Sequence, residues 1–259
     1  MREWLANCLQ NSLLGSESRR GLRNLLLTFV FSSDYNFRVQ NVYHSRKYTL
    51  NENFFSVWTP EMAYGLGFWY ADGDMRQAKS YRIRFSSRDQ DHLEKIKHIF
   101  GSNSPLFRDI RNGVPKNAWY LILHSKKLYY DLKSLGGKRS KSTTLRFPYI
   151  KINYLPDFIR GYFDGDGSVH YISYKATKNG KIYTELRCNF TCGSKRFLEK
   201  ISEILQNNLN LPMKVIGQYG PHQFKLGYGQ KSTIKLLNFM YYQGHTISLK
   251  RKSKYVQRI

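Results

Sequence analysis

The chain has 259 residues, with 42 lysines and arginines against 18 aspartates and glutamates, for a formal net charge of +24. That length allows one large domain or two medium ones, and that charge calls for a polyanionic partner, nucleic acid first and an anionic membrane surface second. No apolar run approaches the length of a bilayer span, and three cysteines, Cys8, Cys188 and Cys192, do not make a disulfide framework. A reducing, intracellular compartment is expected, either a bacterial cytoplasm or an organelle.

Residues 1–47 form an N-terminal extension. An apolar run, Leu22–Phe31, follows Arg19, Arg20 and Arg23. The segment before it is long for an export signal and carries Glu3 and Glu17, so an appended helix or a basic arm is the expectation. At Thr59-Pro60-Glu61 the pattern changes. Thr59 suits a helix cap, Pro60 the first helical turn and Glu61 the positive end of the helix. The helix runs through Gly65-Leu66-Gly67-Phe68-Trp69-Tyr70-Ala71 to Asp72-Gly73, apolar nearly all round and therefore buried. Tyr81-Arg82-Ile83-Arg84-Phe85 then alternates with period two, with Tyr81, Ile83 and Phe85 facing a core and Arg82 and Arg84 facing outward.

The same order returns later in the chain. Leu155-Pro156-Asp157 opens a second apolar helix, Ile159-Arg160-Gly161-Tyr162-Phe163-Asp164-Gly165, which ends in Asp166-Gly167. Leu186-Arg187-Cys188-Asn189-Phe190 repeats the strand, with Arg187 and Asn189 outward. Leu93-Glu94-Lys95-Ile96 returns as Leu198-Glu199-Lys200-Ile201, at an offset of 105 that also pairs Trp119 with Phe224, Lys126 with Lys231 and Leu132 with Leu237. At the helices the offset is 94, so the second copy carries about eleven more residues in its first hairpin. Tyr174–Lys181, with Asn179-Gly180 as the turn, is the expected site of that loop-like insertion. Two copies of helix, two strands, helix, two strands, helix follow. The boundaries are 48–135 for the first repeat, 136–150 for a Gly-, Lys- and Ser-rich linker, and 151–259 for the second.

Gly67 with Ala71 and Gly161 with Gly165 put small residues four apart on one face of each helix, which lets two backbones approach closely. Packed together, the helices bring Asp72 and Asp166 to one end of the seam. Two carboxylates that close repel unless a proton or cation lies between them, and Mg²⁺ favours such oxygen donors. An Asp-Gly turn is common enough for one copy to mean little; two copies in matching context favour a metal site on a pseudo-two-fold axis. A calcium-binding EF-hand at Asp164–Ser168 is excluded by Val169 and Lys175, which occupy its glycine and final glutamate positions. Asp74 and Asp164 read as solvated or capping carboxylates. Cys188 and Cys192 read as small core residues.

These paired stretches resemble the LAGLIDADG signature of homing endonucleases in its monomeric, two-motif form, over residues 48–259. The resemblance implies an α+β fold of two pseudo-symmetric αββαββα repeats, with the motif helices at their interface and the sheets forming a saddle on double-stranded DNA. It implies metal ligation by Asp72 and Asp166, aided by the carbonyls of Ala71 and Gly165, and Mg²⁺-dependent hydrolysis of both strands leaving 3′ overhangs. The family's Gln-Lys pair at the end of the second strand is absent. Arg88 stands where the lysine is expected, and the second repeat has Gly193 and Ser194 there with no base. Arginine stabilises anionic charge but carries protons poorly.

Arg76, Arg82, Arg84, His170, Lys175, Arg187, Asn189 and Lys225 are the expected DNA contacts of the sheets. Lys138, Arg139 and Lys141 in the linker are expected at phosphates, and the tail Leu249–Lys254 is a further basic segment. Two rivals share the fold: a group I intron maturase that binds intron RNA, and a regulator that binds DNA without cutting. The plain start, Met1-Arg2, and end, Arg258-Ile259, favour an intron-encoded or free-standing frame over an intein.

Overall fold

The structure, a computed structural model, describes residues 47–256; the expected N-terminal extension, but for residue 47, and Cys8 lie outside them. Thr59 caps the first helix, α1 (Pro60–Asp72), by accepting a hydrogen bond from the Met62 N–H at 3.0 Å. From Met62 to Tyr70 every residue of α1 is buried, as its all-round apolar sequence requires. Two strands follow, β1 (Gly73–Gln77) and β2 (Tyr81–Ser87), then α2 (Gln90–Ile99), β3 (Leu106–Arg111), β4 (Val114–His124) and α3 (Lys126–Ser134).

After a stretch without regular elements and a 3₁₀ turn at Ile152–Tyr154, the series repeats. It runs through α4 (Leu155–Asp166), β5 (Gly167–Lys175), β6 (Ile182–Cys192), α5 (Lys195–Leu209), β7 (Gly217–Gly220), β8 (Gln223–Tyr228) and α6 (Gln230–Met240), and closes with a short turn of helix, α7 (Lys250–Ser253).

Each repeat forms a four-stranded antiparallel sheet, in the orders β1-β2-β4-β3 and β5-β6-β8-β7. The registers of the inner strands match, whereas the outer pairs β3/β4 and β7/β8 differ. Gly73 pairs with Phe85 and Phe85 with Leu121; Gly167 pairs with Phe190 and Phe190 with Leu226. The period-two pattern fixes which face is covered. Ile83 and Phe85, like Leu186, Cys188 and Phe190, are buried. Arg82 and Arg84 lie half-buried on the opposite face and Arg187 exposed. Leu132 and Leu237 hold equivalent, fully buried places in α3 and α6.

The inserted hairpin departs from expectation. Its turn lies at Ala176–Lys181, with Gly180 at φ +65°. Most of the extra residues, however, lengthen the strands: β5 and β6 have nine and eleven residues, against five and seven in β1 and β2. Tyr174 and Tyr183, cross-strand neighbours with stacked rings 6.1 Å apart, continue the ladder where a loop was expected.

α1 and α4 pack against each other through glycine. A Cβ on Gly67 would run into the Phe158 carbonyl and stand 2.9 Å from the Tyr162 nitrogen. A Cβ on Gly161 would meet the Tyr64 carbonyl and the Phe68 nitrogen in the same way. The reciprocity is that of a pseudo-two-fold axis running through the seam.

Candidate active site

Asp72 and Asp166 are the last helical residues of α1 and α4, at the same end of the seam. A Cβ on Gly165 would stand 3.2 Å from Asp72 Oδ2, so the Asp72 carboxylate lies against the residue next to Asp166. Both acids are half-covered at the surface. Burial pushes the Asp166 carboxyl up to about 7, and Asp72 beside it pushes the same way. Asp72 is raised too, chiefly by burial. Burial and the neighbouring charge therefore both disfavour having the two acids ionised together unless positive charge compensates.

The backbone of each acid is pinned by a matching hydroxyl. Ser86 Oγ donates to the Asp72 carbonyl at 2.9 Å, and Thr191 Oγ1 donates to the Asp166 carbonyl at 2.8 Å. These two residues obey the offset of 105, so the signal was present in the sequence and was missed. Tyr162 adds a bond to the Thr191 carbonyl at 2.8 Å.

Two lysines complete the site. Lys141, expected at a surface phosphate, is instead 7% exposed; its amine donates to the Gly73 carbonyl and lies 4.6 Å from the centre of the Trp69 ring. Lys252, placed by sequence in a surface-exposed basic tail, is 2% exposed. Its amine donates to the carbonyls of Phe163, Asp164 and Gly167 at 2.5, 2.8 and 2.6 Å. Each lysine thus meets the negative end of one motif helix. Both draw the Asp72 and Asp166 carboxyls toward the ionised form, against the burial that raises them. Burial lowers both amines, Lys252 to about 8.

Arg88 is exposed and helps hold Asp72 ionised, after Lys252, Lys141 and Arg251. In the second repeat the place of Arg88 is taken by Gly193, where a Cβ would stand 2.6 Å from the Ser142 carbonyl, and Ser194 beside it donates to the Leu145 carbonyl at 2.7 Å, so this position packs on the linker. Asp164 is neither solvated nor a cap: it is 1% exposed and accepts three hydrogen bonds. Cys188 is buried and Cys192 half-buried; both are free thiols. Among the described residues no third His, Cys, Asp or Glu joins the two acids in a metal-binding group.

Beside the site a cleft of about 490 Å³ brings together Arg76, Arg82, Arg84, Lys138, Arg139 and Lys141, with Asp74 as its only acid. Arg84 lies 4.8 Å from the Tyr120 ring centre and 3.9 Å from Asp74. The Nε atoms of Arg82 and Arg84 are buried and have no hydrogen-bond partner among the described residues. The second sheet is less basic. Arg187 is exposed but pairs with Glu185 at 3.1 Å, and His170 and Lys225 are exposed. Asn189, expected outward, is on that face but only 6% exposed, covered between β5 and β8. Lys175 is exposed at the end of β5, yet it shares the alternation of buried Val169 and so leaves the sheet on the opposite side from His170.

Residues 154–225 match the family described as LAGLIDADG-like domain. An uncharacterized protein of Methanocaldococcus jannaschii is 27% identical over 117 residues, 43% of this chain and 40% of that protein's length. The LAGLIDADG meganuclease I-AabMI, solved bound to uncleaved DNA, aligns over 77% of this chain and 88% of its own, with a TM-score of 0.53 and 15% identity. I-SmaMI, solved bound to an uncleaved DNA target in the presence of calcium ions, aligns over 77% and 88%, with a TM-score of 0.50 and 15% identity. No described helix is long and apolar enough to cross a membrane. The chain has the two-repeat LAGLIDADG fold, and its second half contains a LAGLIDADG-like domain.

Proposed function

We propose that the chain is a site-specific endonuclease that hydrolyses both strands of a long double-stranded DNA site, leaving 3′ overhangs, with Mg²⁺ as its cofactor and as a monomer. The observation that carries this reading is the symmetric end of the seam. Asp72 and Asp166 sit there together, each with its carbonyl held by a hydroxyl and each helix end met by a buried lysine. The two solved relatives named above bind DNA, and the charge of +24 suits that partner.

The donors fit a hard divalent cation. They are two carboxylates whose ionised forms burial disfavours and a cation would stabilise, together with the backbone carbonyls of Ala71 and Gly165, and phosphate oxygens of the substrate would complete the set. When bound, Mg²⁺ supplies activation of water and charge stabilisation at the phosphate. The protein's own groups do the rest. Ser86 and Thr191 fix the acids before substrate arrives, so no reorganisation is needed at the moment of reaction. The ammonium groups of Lys141 and Lys252 provide fixed positive charge beside the scissile phosphates. Arg88 adds charge on the Asp72 side alone. The cleft formed by Arg76, Arg82, Arg84, Lys138 and Arg139 engages the DNA backbone and positions it. Exposed Arg187, and the guanidinium ends of half-buried Arg82 and Arg84, can read base edges in the major groove.

The test is cleavage of a randomised duplex library in Mg²⁺, in Ca²⁺ and in EDTA. Specific double-strand cuts in Mg²⁺ alone are expected. Salt-sensitive binding without cutting would contradict the nuclease reading, and a parallel comparison with structured RNA would then separate a maturase from a DNA-binding regulator.

A further inference from the structure

Asp164 takes no part in the chemistry above, yet it is buried two residues before Asp166. Its Oδ1 accepts from the Tyr241 hydroxyl at 2.6 Å. Its Oδ2 accepts from the Tyr64 hydroxyl at 2.6 Å and from the Leu249 N–H at 2.8 Å. A buried carboxylate is costly unless its lone pairs are satisfied, and bonds to an ionised acceptor are among the stronger ones. The three donors come from three places: α1 of the first repeat, the end of α6, and the segment that leads into α7. Behind Tyr64, His92 Nε2 lies 3.0 Å from the same hydroxyl, while His92 Nδ1 has no partner among the described residues. That is the pattern of a neutral imidazole donating from Nε2 and leaving the Tyr64 proton to Asp164.

On either side of Leu249 the chain also touches the first repeat. Lys95 donates to the Ser248 carbonyl at 3.3 Å, and Arg251 Nε lies 3.0 Å from Asp89 Oδ2. The next residue is Lys252, whose amine reaches back to the end of α4. Residues 247–255 thus form a strap across both repeats, anchored through Leu249 to Asp164. The first repeat has no such anchor. Its residue equivalent to Asp164 is Tyr70, which donates to the Leu135 carbonyl at 2.8 Å, before the linker begins.

We propose that Asp164 is a positioning residue that holds this C-terminal strap in place and so keeps Lys252 beside Asp72 and Asp166. The proposal rests on the reading of those two acids as the cutting centre. Without Asp164, the Leu249 N–H loses its acceptor and the strap loses its fixed point between the motif helices. Lys252 then leaves its carbonyl cage, and cutting slows while the sheets and the basic cleft still bind DNA.

The test uses the full chain with Asp164→Leu, which removes every acceptor at similar size, and Asp164→Asn, which keeps one acceptor for Leu249. Hydrogen exchange of the amides of 247–255, the Kd for duplex in Ca²⁺, and the single-turnover cutting rate in Mg²⁺ are read together. For Asp164→Leu, exchange in the strap is expected to rise on the order of ten-fold above that of the sheets, the loss of one or more buried hydrogen bonds. Cutting is expected to fall by a similar or larger factor with Kd nearly unchanged, and Asp164→Asn to fall between this variant and the parent. Should Asp164→Leu fail to fold, Asp164→Asn alone carries the same comparison. An unmoved strap, a freed strap with undiminished cutting, or a Kd that weakens in step with cutting would each overturn the proposal. If the parent chain does not cut any duplex, the nuclease reading fails first and takes the proposal with it. A cutting parent with an unmoved strap overturns the proposal alone.

Discussion

At the seam the first repeat offers Gly67, Asp72 and Ser86, with Lys141 of the linker, and the second answers with Gly161, Asp166, Thr191 and Lys252. On the outward faces the answers differ. Arg76, Arg82 and Arg84 border a basic cleft on one sheet, whereas on the other Arg187 is tied to Glu185 and Asn189 is covered. Arg88 faces Gly193, and Tyr70 stands opposite Asp164. On the proposed function, the repeats are alike where two phosphodiester strands would meet one centre and differ where each would meet its own stretch of target. An asymmetric DNA site, bound more tightly by the first repeat, is then the expectation.

The symmetry of the seam can be broken outright. Gly67→Val forces a branched side chain into the Phe158 carbonyl and should cost about 3 kcal/mol, as overpacking against backbone does. For a chain of this size that is a Tm lower by roughly 6–12 °C in a thermal melt. A melt that does not shift would mean the helices separate freely at this point. Lys141→Ala removes charge from both acids at once. It should slow cutting of both strands on the order of a hundred-fold, with binding little changed because the side chain is buried, as strand-resolved single-turnover rates would show.

Smaller effects sharpen the asymmetry. Arg88→Ala has no counterpart in the second repeat and should slow one strand by about ten-fold relative to the other, less than the loss of a general acid or base, because Arg88 acts on Asp72 after Lys252, Lys141 and Arg251. Equal slowing of both strands would assign Arg88 to the shared centre. Arg187→Ala should weaken binding by about 1–3 kcal/mol at a single base pair, while Asn189→Ala should change it by less than about 0.5 kcal/mol; competition titrations with single-base variants measure both. A further effect is one of pH. Asp166 holds its proton to about 7 in the folded chain, against about 3.9 for an unfolded aspartate. Between those values the folded state binds more protons, so metal-free stability falls as pH rises from 4 to 7. Asp166→Asn should flatten that slope in EDTA.

Much of this was legible in the sequence, for identifiable reasons. The duplicated Gly-x₃-small spacing and the Asp-Gly ends specify the seam, and the period-two strands specify both sheets and their covered faces. Lys252 was missed because the internal register that pairs Leu132 with Leu237 does not survive the end of α6. Carried forward from Lys141, it arrives at Thr246. The true counterpart comes several residues later, after a segment of different length. Asp164 looked like a solvated acid because the groups that bury it, Tyr64, Tyr241 and Leu249, lie far away in the chain. The inserted hairpin became strand because Tyr174 and Tyr183 supply cross-strand packing that outweighs the loop signal of Asn179-Gly180.

The most direct measurement is strand-resolved cleavage of the selected site by Asp72→Asn and by Asp166→Asn, each compared with the parent in Mg²⁺. A single centre on the pseudo-two-fold axis requires each substitution to lower cutting of both strands together, with binding retained. Loss of one strand with the other cut at the parental rate, or undiminished double-strand cutting by either variant, would contradict it.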